Sequence, residues 1–279
     1  MNRASIRKMM NWMMPRNLEG LAGLAWDAAQ PRLADNAALK DLHANRRCFV
    51  IGNGPSLAKM DLAPLASEYT IGANSFYKHP QAAQVGLKYL CIGDPHFMVD
   101  NPTCVTWHKT LCEKMPATTF VMHDDAGPLI HKNGLYVGRK VYFVRTGLST
   151  HTAAFARVDF TRGLNIGMTT GTLVAIPLAM YLGCSEIYLL GFDANWLDNY
   201  DGSYHFYDKH ELFPEFDSTA ADTRGFTYED EVNMVLREFQ AHRLLQEIAR
   251  SRGITLMNAT VGGRIDMHPR IDYRTLVSS

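Results

Sequence analysis

The stretch CFVIGNGPSLAKMDLAPL, Cys48 to Leu65, decides how this chain is read. Cys48 to Ile51 are apolar or small and form a short strand suited to burial on both faces. Gly52-Asn53-Gly54-Pro55-Ser56 then turns the chain into a short helical segment. Gly52 and Gly54 permit a tight turn and close approach of a ligand, while Pro55 and Ser56 suit the first turn of a helix. Exposed N–H groups at such a turn, helped by about half a positive charge from the helix dipole, attract phosphate. The alternative is a plain strand-to-helix turn. The loop matches neither GxGxxG nor GxxxxGK[ST], and no lysine stands where a Walker loop needs one, so Walker-type ATP chemistry is not indicated.

Outward from this loop, strands alternate with helices. YTIGAN and KYLCIGD read as the next two strands, and CVTWHKTLCEKM reads as helix. TTFVMHDD and KVYFVRT follow as strands, and GMTTGTLVAIPLAMYLG is a helix opened by Thr169 or Thr170. EIYLLGFD is the clearest strand of the chain. YEDEVNMVLREFQAHRLLQEIARSRG is an amphipathic helix closed by Gly253, and ITLMNAT is the final strand. This order predicts an α/β fold, a doubly wound, mostly parallel Rossmann-like sheet over residues 46–279, with an N-terminal helical extension over 1–45 and a polar, aromatic lid at about 195–227.

Ligands of such sheets sit beyond the carboxyl ends of the strands. The strand ends here are Gly52-Asn53-Gly54, Ala73-Asn74, Gly93-Asp94-Pro95 and Gly191-Phe192-Asp193. One crevice is therefore expected to collect Asn53, Asn74, Asp94 and Asp193, with Thr170 and Gly171 at a helix start facing it. The side-chain amides of Asn53 and Asn74 offer donors and acceptors to a base or a ribose, or else tie down their own turns.

Totals narrow the function. Lys+Arg and Asp+Glu balance at 28 each over 279 residues, so no global field favours nucleic acid. Five scattered cysteines without a CxxC pair fit a reducing compartment, and a cytoplasmic protein is expected. In MNRASIRKMMNWMMPRN, Ile6, Met9, Met10, Trp12, Met13 and Met14 share a helical face, with Arg3, Arg7, Lys8 and Arg16 near the other. Such a helix either lies on the anionic inner membrane leaflet or packs on its own domain or a neighbouring subunit.

FVIGNGPSL, GANSFY and TTGTLVAIPLAMYLGCSEIYLLGFD resemble, in order and spacing, the bacterial sialyltransferases of the Campylobacter type, glycosyltransferase family 42. They also resemble the wider group that includes the motility-associated flagellin glycosyltransferases and the archaeal 6-hydroxymethylpterin pyrophosphokinases. The resemblance covers about residues 46–260. It implies that Asn53, Gly54, Ser56, Asn74, Thr170 and Gly171 surround the CMP part of a CMP-sugar. It further implies that Tyr204 touches the leaving phosphate, that transfer is inverting and needs no metal or other cofactor, and that the protein is a homo-oligomer. The acceptor implied is a cell-surface glycan or glycolipid.

Two departures stand out. Asp94-Pro95 replaces the Asn-Pro of the sialyltransferases, and an aspartate near phosphate calls for a sugar, a ribose or Mg2+ as its partner. The family's catalytic histidine precedes the last long helix, where this chain has Thr227-Tyr228-Glu229-Asp230. The base is then sought among His205 and His210 of the lid, with Glu229 or Asp230 as carboxylate alternatives. Tyr204 and Tyr207 are phosphate donors in the same segment or simply pack there. The clusters His123 to Asp125 and Asp198 to Gly202, and Asp266 with His268, are read as solvated loops, and no metal site is expected. The leading reading is a glycosyltransferase moving a sialic-acid-like, nonulosonic sugar from a CMP-activated donor. The alternatives are a Mg2+-dependent pterin-type pyrophosphokinase and a non-catalytic nucleotide-binding module.

Overall fold

The structure, a computed structural model, describes residues 33–146, 153, 156–166, 170–198, 205–207 and 227–277. The expected amphipathic segment at 1–16, most of the lid, and the candidates Tyr204 and His210 lie outside the described residues.

Seven short strands build one parallel sheet. In chain order they are β1 (Arg47–Ile51), β2 (Tyr69–Ala73), β3 (Tyr89–Ile92), β4 (Thr119–His123), β5 (Val141–Val144), then β8 (Glu186–Leu190) and β9 (Thr255–Asn258). A two-stranded antiparallel ribbon, β6 (Val158–Asp159) with β7 (Gly163–Leu164), intervenes. The spatial order is β5-β4-β3-β2-β1-β8-β9, with every pair in the large sheet parallel. The sheet is α/β and Rossmann-like, as the alternation of elements predicts. The chain walks one way from β1 to β5 and then returns to place β8 on the free side of β1. The direction of winding therefore reverses beside β1, and a crevice forms at such a point because the flanking loops leave in opposite directions.

Burial on both faces explains the strand sequences. Cys48 and Val50 of β1, Ile187 and Leu189 of β8 and Cys91 of β3 point into one core. Phe49, Ile51, Tyr188, Leu190, Leu90 and Ile92 point into the other. The first core is covered by helix α4 (Gly171–Tyr181), which crosses β1, β2 and β3 and packs against helix α5 (Tyr228–Ser251). Helix α4 is apolar all round because sheet and helix enclose it, and ten of its eleven residues are buried. Helices α1 (Ala82–Val85), α2 (Pro102–Lys114), α3 (Gly127–Asn133) and α6 (Tyr273–Val277) lie elsewhere along the chain, and the second core takes side chains from all four. The connection from β1 to β2 is two 3-10 turns, Pro55–Lys59 and Ala63–Ser67, which bury Leu57 and Leu65.

Residues 33–45 run as a 3-10 turn, Ala34–Leu39, and further turns laid on the domain. Asn36 donates to the carbonyls of Phe143 and Phe160, and the N–H groups of Asp41, His43 and Asn45 donate to Tyr181, Leu182 and Gly183. No helix among the described residues is long and apolar enough to cross a membrane.

Candidate functional site

The loops after β1 and β8 meet first. Gly52 N–H donates to Leu190 O at 2.8 Å and Gly54 N–H to Gly191 O at 2.9 Å. Asp193 accepts from Ser56 N–H at 3.1 Å and from Ser56 Oγ at 2.7 Å. The anion at the start of the short Pro55–Lys59 turn is thus the protein's own carboxylate. Burial raises the pKa of Asp193, and the Ser56 hydrogen bonds and nearby Lys59 oppose that shift. Close approach explains both glycines: a Cβ on Gly54 would overlap the Asp193 carboxylate, and one on Gly52 would lie 2.5 Å from Gly191 O. The sequence leaves the loop's N–H groups either to meet a phosphate or to belong to a plain strand-to-helix turn; those of Gly52, Gly54 and Ser56 have acceptors inside the protein.

Beyond that contact, the side chains turn toward β2 and β3. Asn53 Nδ2 donates to Ala73 O at 2.9 Å, which directs the amide over the end of β2. Asn74 has a left-handed backbone, φ 45°, and its N–H donates to Cys91 O at the end of β3. Gly171 at the start of α4 packs against Asn74, with a Cβ there falling 2.6 Å from Asn74 Oδ1. Gly93 fits closely too, its Cβ position lying 2.9 Å from Gly171 Cα. Thr170 caps α4, accepting from Leu173 N–H, and shares a 2.7 Å hydrogen bond with the Thr172 hydroxyl. Asn53, Asn74, Thr170 and Gly171 therefore converge as expected.

Two atoms in this crevice are left over. Among the described residues, four buried side-chain polar atoms have no hydrogen-bond partner, and two of them are Asn53 Oδ1 and Asn74 Oδ1. A buried unsatisfied acceptor costs about 1–3 kcal/mol. Two of them at the carboxyl ends of adjacent strands call for a ligand or solvent that donates hydrogen bonds.

Asp94 is at the end of β3 but faces its own turn. Its Oδ1 accepts from His96 N–H at 3.0 Å and lies 2.7 Å from His96 Nδ1.

The described fragment of the lid docks on the glycine loop. Phe206 N–H donates to Asn53 O at 3.0 Å, and the Phe206 ring meets His79 edge-on at 5.2 Å. His205 stacks on Tyr207 at 4.9 Å, and Lys78 Nζ lies 5.5 Å over the Tyr207 ring. His205 and Tyr207 thus lie beside the glycine loop and near a cation, Lys78, that sequence reasoning missed. Its signal was its place four residues after Asn74 in ANSFYK. Glu229 lies exposed in the first turn of α5. Its neighbour Asp230 forms a capping box with Thr227, the ordinary work of carboxylates at that place.

Two segments read as solvated loops differ. His123 is buried at the end of β4, where Nε2 meets Thr146 Oγ1 at 3.0 Å and Nδ1 accepts from Asp125 N–H. Donor atoms of His123, Asp124 and Asp125 lie within 4.8 Å of one another, but Arg145 Nε already holds Asp124 Oδ2 at 2.8 Å, where it competes with any cation. His268 is also buried, because the segment around it folds back over the end of β8. In that segment Arg264 N–H donates to Asp193 O at 2.7 Å, and Thr260 Oγ1 accepts from Phe192 N–H at 3.0 Å. Arg270 fastens it, donating to the carbonyls of Thr260, Gly262, Gly263 and Ile265. The side chain of Arg264 pairs with Asp198 at 2.8 Å.

Fold and site together define a doubly wound α/β protein with two unsatisfied amide oxygens beside its topological switch point. Among solved structures, the chain is similar to the MAf glycosyltransferase from Magnetospirillum magneticum AMB-1 at 14% identity and a TM-score of 0.47, covering 85% of this chain and 37% of that one. It is also similar to the sialyltransferase CstII from Campylobacter jejuni, solved with the substrate analogue CMP-3FNeuAc, at 14% identity and a TM-score of 0.41, covering 76% of this chain and 80% of that one. The chain thus spans well under half the length of the first of these proteins. No family model and no curated protein matches it.

Proposed function

We propose that this protein is a glycosyltransferase that moves a nonulosonic, sialic-acid-like sugar from a CMP-activated donor to a glycan or glycolipid acceptor, with inversion and without a metal. The observation that carries the reading is the pair of buried amide oxygens, Asn53 Oδ1 and Asn74 Oδ1, that lack donors at the strand ends. The amino group of a cytosine or the hydroxyls of a ribose would supply them. The motif resemblance around GNGPSL, GANSFY and the TTG helix start supports CMP in particular. Lys78, with Tyr207 beside it, would neutralise charge on the departing phosphate, and His205 would take the acceptor's proton. The pairing of Asp94 with His96 leaves that carboxylate engaged rather than offered to Mg2+.

Calorimetric titration with CMP, CDP, UDP, GDP and ATP, each in EDTA and then in Mg2+, tests this. CMP binding indifferent to metal is expected. ATP binding that needs Mg2+ would replace the reading with pyrophosphoryl transfer, and preference for a nucleoside diphosphate would discard the nonulosonic donor.

A further inference from the structure

Away from the crevice opening, the structure buries four polar side chains in a row. Glu238, His242 and Gln246 recur at four-residue spacing on one face of α5, and His268 of the returning segment faces them. All four are at most 6% exposed. His268 Nδ1 lies 2.7 Å from Gln246 Oε1, and His268 Nε2 lies 2.9 Å from His242 Nδ1. His242 Nε2 has no hydrogen-bond partner and stands 3.9 Å from Glu238 Oε1.

The proton positions follow from the chemistry of the end group. Gln246 Oε1 can only accept, so His268 Nδ1 carries a proton and donates. A neutral His268 then accepts at Nε2, which requires His242 to donate from Nδ1 and leaves a lone pair on His242 Nε2. The group facing that lone pair is the Glu238 carboxyl, which can meet it only by donating its own proton. One neutral assignment satisfies the links from Gln246 through His268 to His242 and leaves the Glu238 carboxyl, 3.9 Å away, as the group nearest to His242 Nε2.

We propose that Gln246, His268 and His242 form an uncharged hydrogen-bonded latch, with a protonated Glu238 facing His242 Nε2, and that this latch positions residues 259–270 against Asp193. The returning segment reaches the site through Arg264 N–H on Asp193 O and Thr260 Oγ1 on Phe192 N–H, and the Phe192 ring meets His242 edge-on at 5.8 Å. Glu238, His242 and His268 are thus positioning residues. They stand one ring away from the carboxylate that holds the glycine loop.

Burial pushes the Glu238 carboxyl from its ordinary 4.5 up to about 8, and it pushes His268 from 6.5 down to about 4. His242 is lowered well below 6.5 by burial and then by its neighbour His268. The groups facing the row are Gln246 and the ionisable members themselves from α5, His268 from the returning segment, and the apolar Phe192 from the end of β8.

Opening the latch exposes these groups to water, which fixes the sign of each effect. A glutamate with a raised pKa keeps its proton when closed and loses it when open, so latch stability falls as pH rises from 4.5 to about 8. Each histidine with a lowered pKa gains a proton only when open, so latch stability falls as pH drops below 6.5. Two histidines outweigh one glutamate on the acid side. Protection of the segment should therefore peak near pH 6.5 and fall by about tenfold per pH unit on either side, levelling above about pH 8.

Hydrogen exchange of the peptide covering 259–270, corrected for the intrinsic pH dependence of exchange, reads this directly in the full chain. The wild type should show the peak. E238Q, whose amide donates as the protonated acid does, should keep at least the protection seen at pH 6.5 and lose the alkaline limb. A difference infrared spectrum between wild type and E238Q at pH 7 should show the carbonyl stretch of one protonated carboxyl group. Both readouts are independent of any nucleotide. An alkaline limb unchanged in E238Q, or no such carbonyl band, would mean that Glu238 is ionised and would overturn the proposal.

Discussion

Ser56 and Asp193, 137 positions apart, are joined twice: the Ser56 N–H and the Ser56 hydroxyl both donate to the Asp193 carboxylate, at 3.1 and 2.7 Å. This clamp sets the shape of the glycine loop, since Gly54 can sit beside Asp193 only because it has no Cβ. Ser56→Ala should cost about 1–3 kcal/mol, because a buried carboxylate oxygen loses its donor. Gly54→Ala should cost about as much, by overpacking against the carboxylate. Urea denaturation measures both, and unchanged midpoints would show that the clamp does not hold the folded state.

Asn74 separates fold from binding. Its left-handed backbone suits glycine, so Asn74→Gly removes the orphan amide without straining the turn. We expect stability to change little and CMP affinity to drop by about tenfold, the worth of one hydrogen bond to the ligand. A variant that binds CMP like the wild type would take Asn74 out of the site.

Lys78 and His205 both lie against the Tyr207 ring but should fail differently. Lys78→Gln should weaken binding of CMP-linked donor roughly ten- to a hundredfold, as loss of a charge-assisted contact to phosphate does. His205→Ala should leave CMP binding nearly intact and slow transfer by roughly 100-fold or more, the usual worth of a general base. Steady-state kinetics with a CMP-nonulosonate donor distinguishes them. Full activity in His205→Ala would move the base to His210 or Glu229.

Arg270 fastens the loop over Asp193 with a planar fork reaching four carbonyls. Lysine keeps the charge but cannot reproduce that geometry. Arg270→Lys should lower stability by about 1–2 kcal/mol and loosen the 260–265 loop, visible as faster hydrogen exchange there. Equal exchange in both proteins would reduce the fork to a surface ornament.

The sequence by itself determined the alternation of strands and helices, the buried character of β1 and β8, a threonine cap at Thr169 or Thr170, and the set of residues that end the strands. These follow from local rules: apolar runs, caps and turn residues act over a few positions. It therefore placed Asn53, Asn74, Asp94 and Asp193 at one edge with Thr170 and Gly171 facing them, and of these Asp94 turns back to His96 instead. Partner choice between distant segments was not legible, because a hydrogen bond forms with whatever the topology brings near. Only the tertiary structure decided that the N–H groups of Gly52, Gly54 and Ser56 belong to Leu190, Gly191 and Asp193, and that the amide oxygens of Asn53 and Asn74 are left without donors. His268 shows the same limit. In DMHPR it reads as a surface residue, and it is buried because the chain after β9 folds back onto α5, a contact across 26 positions that no local pattern encodes.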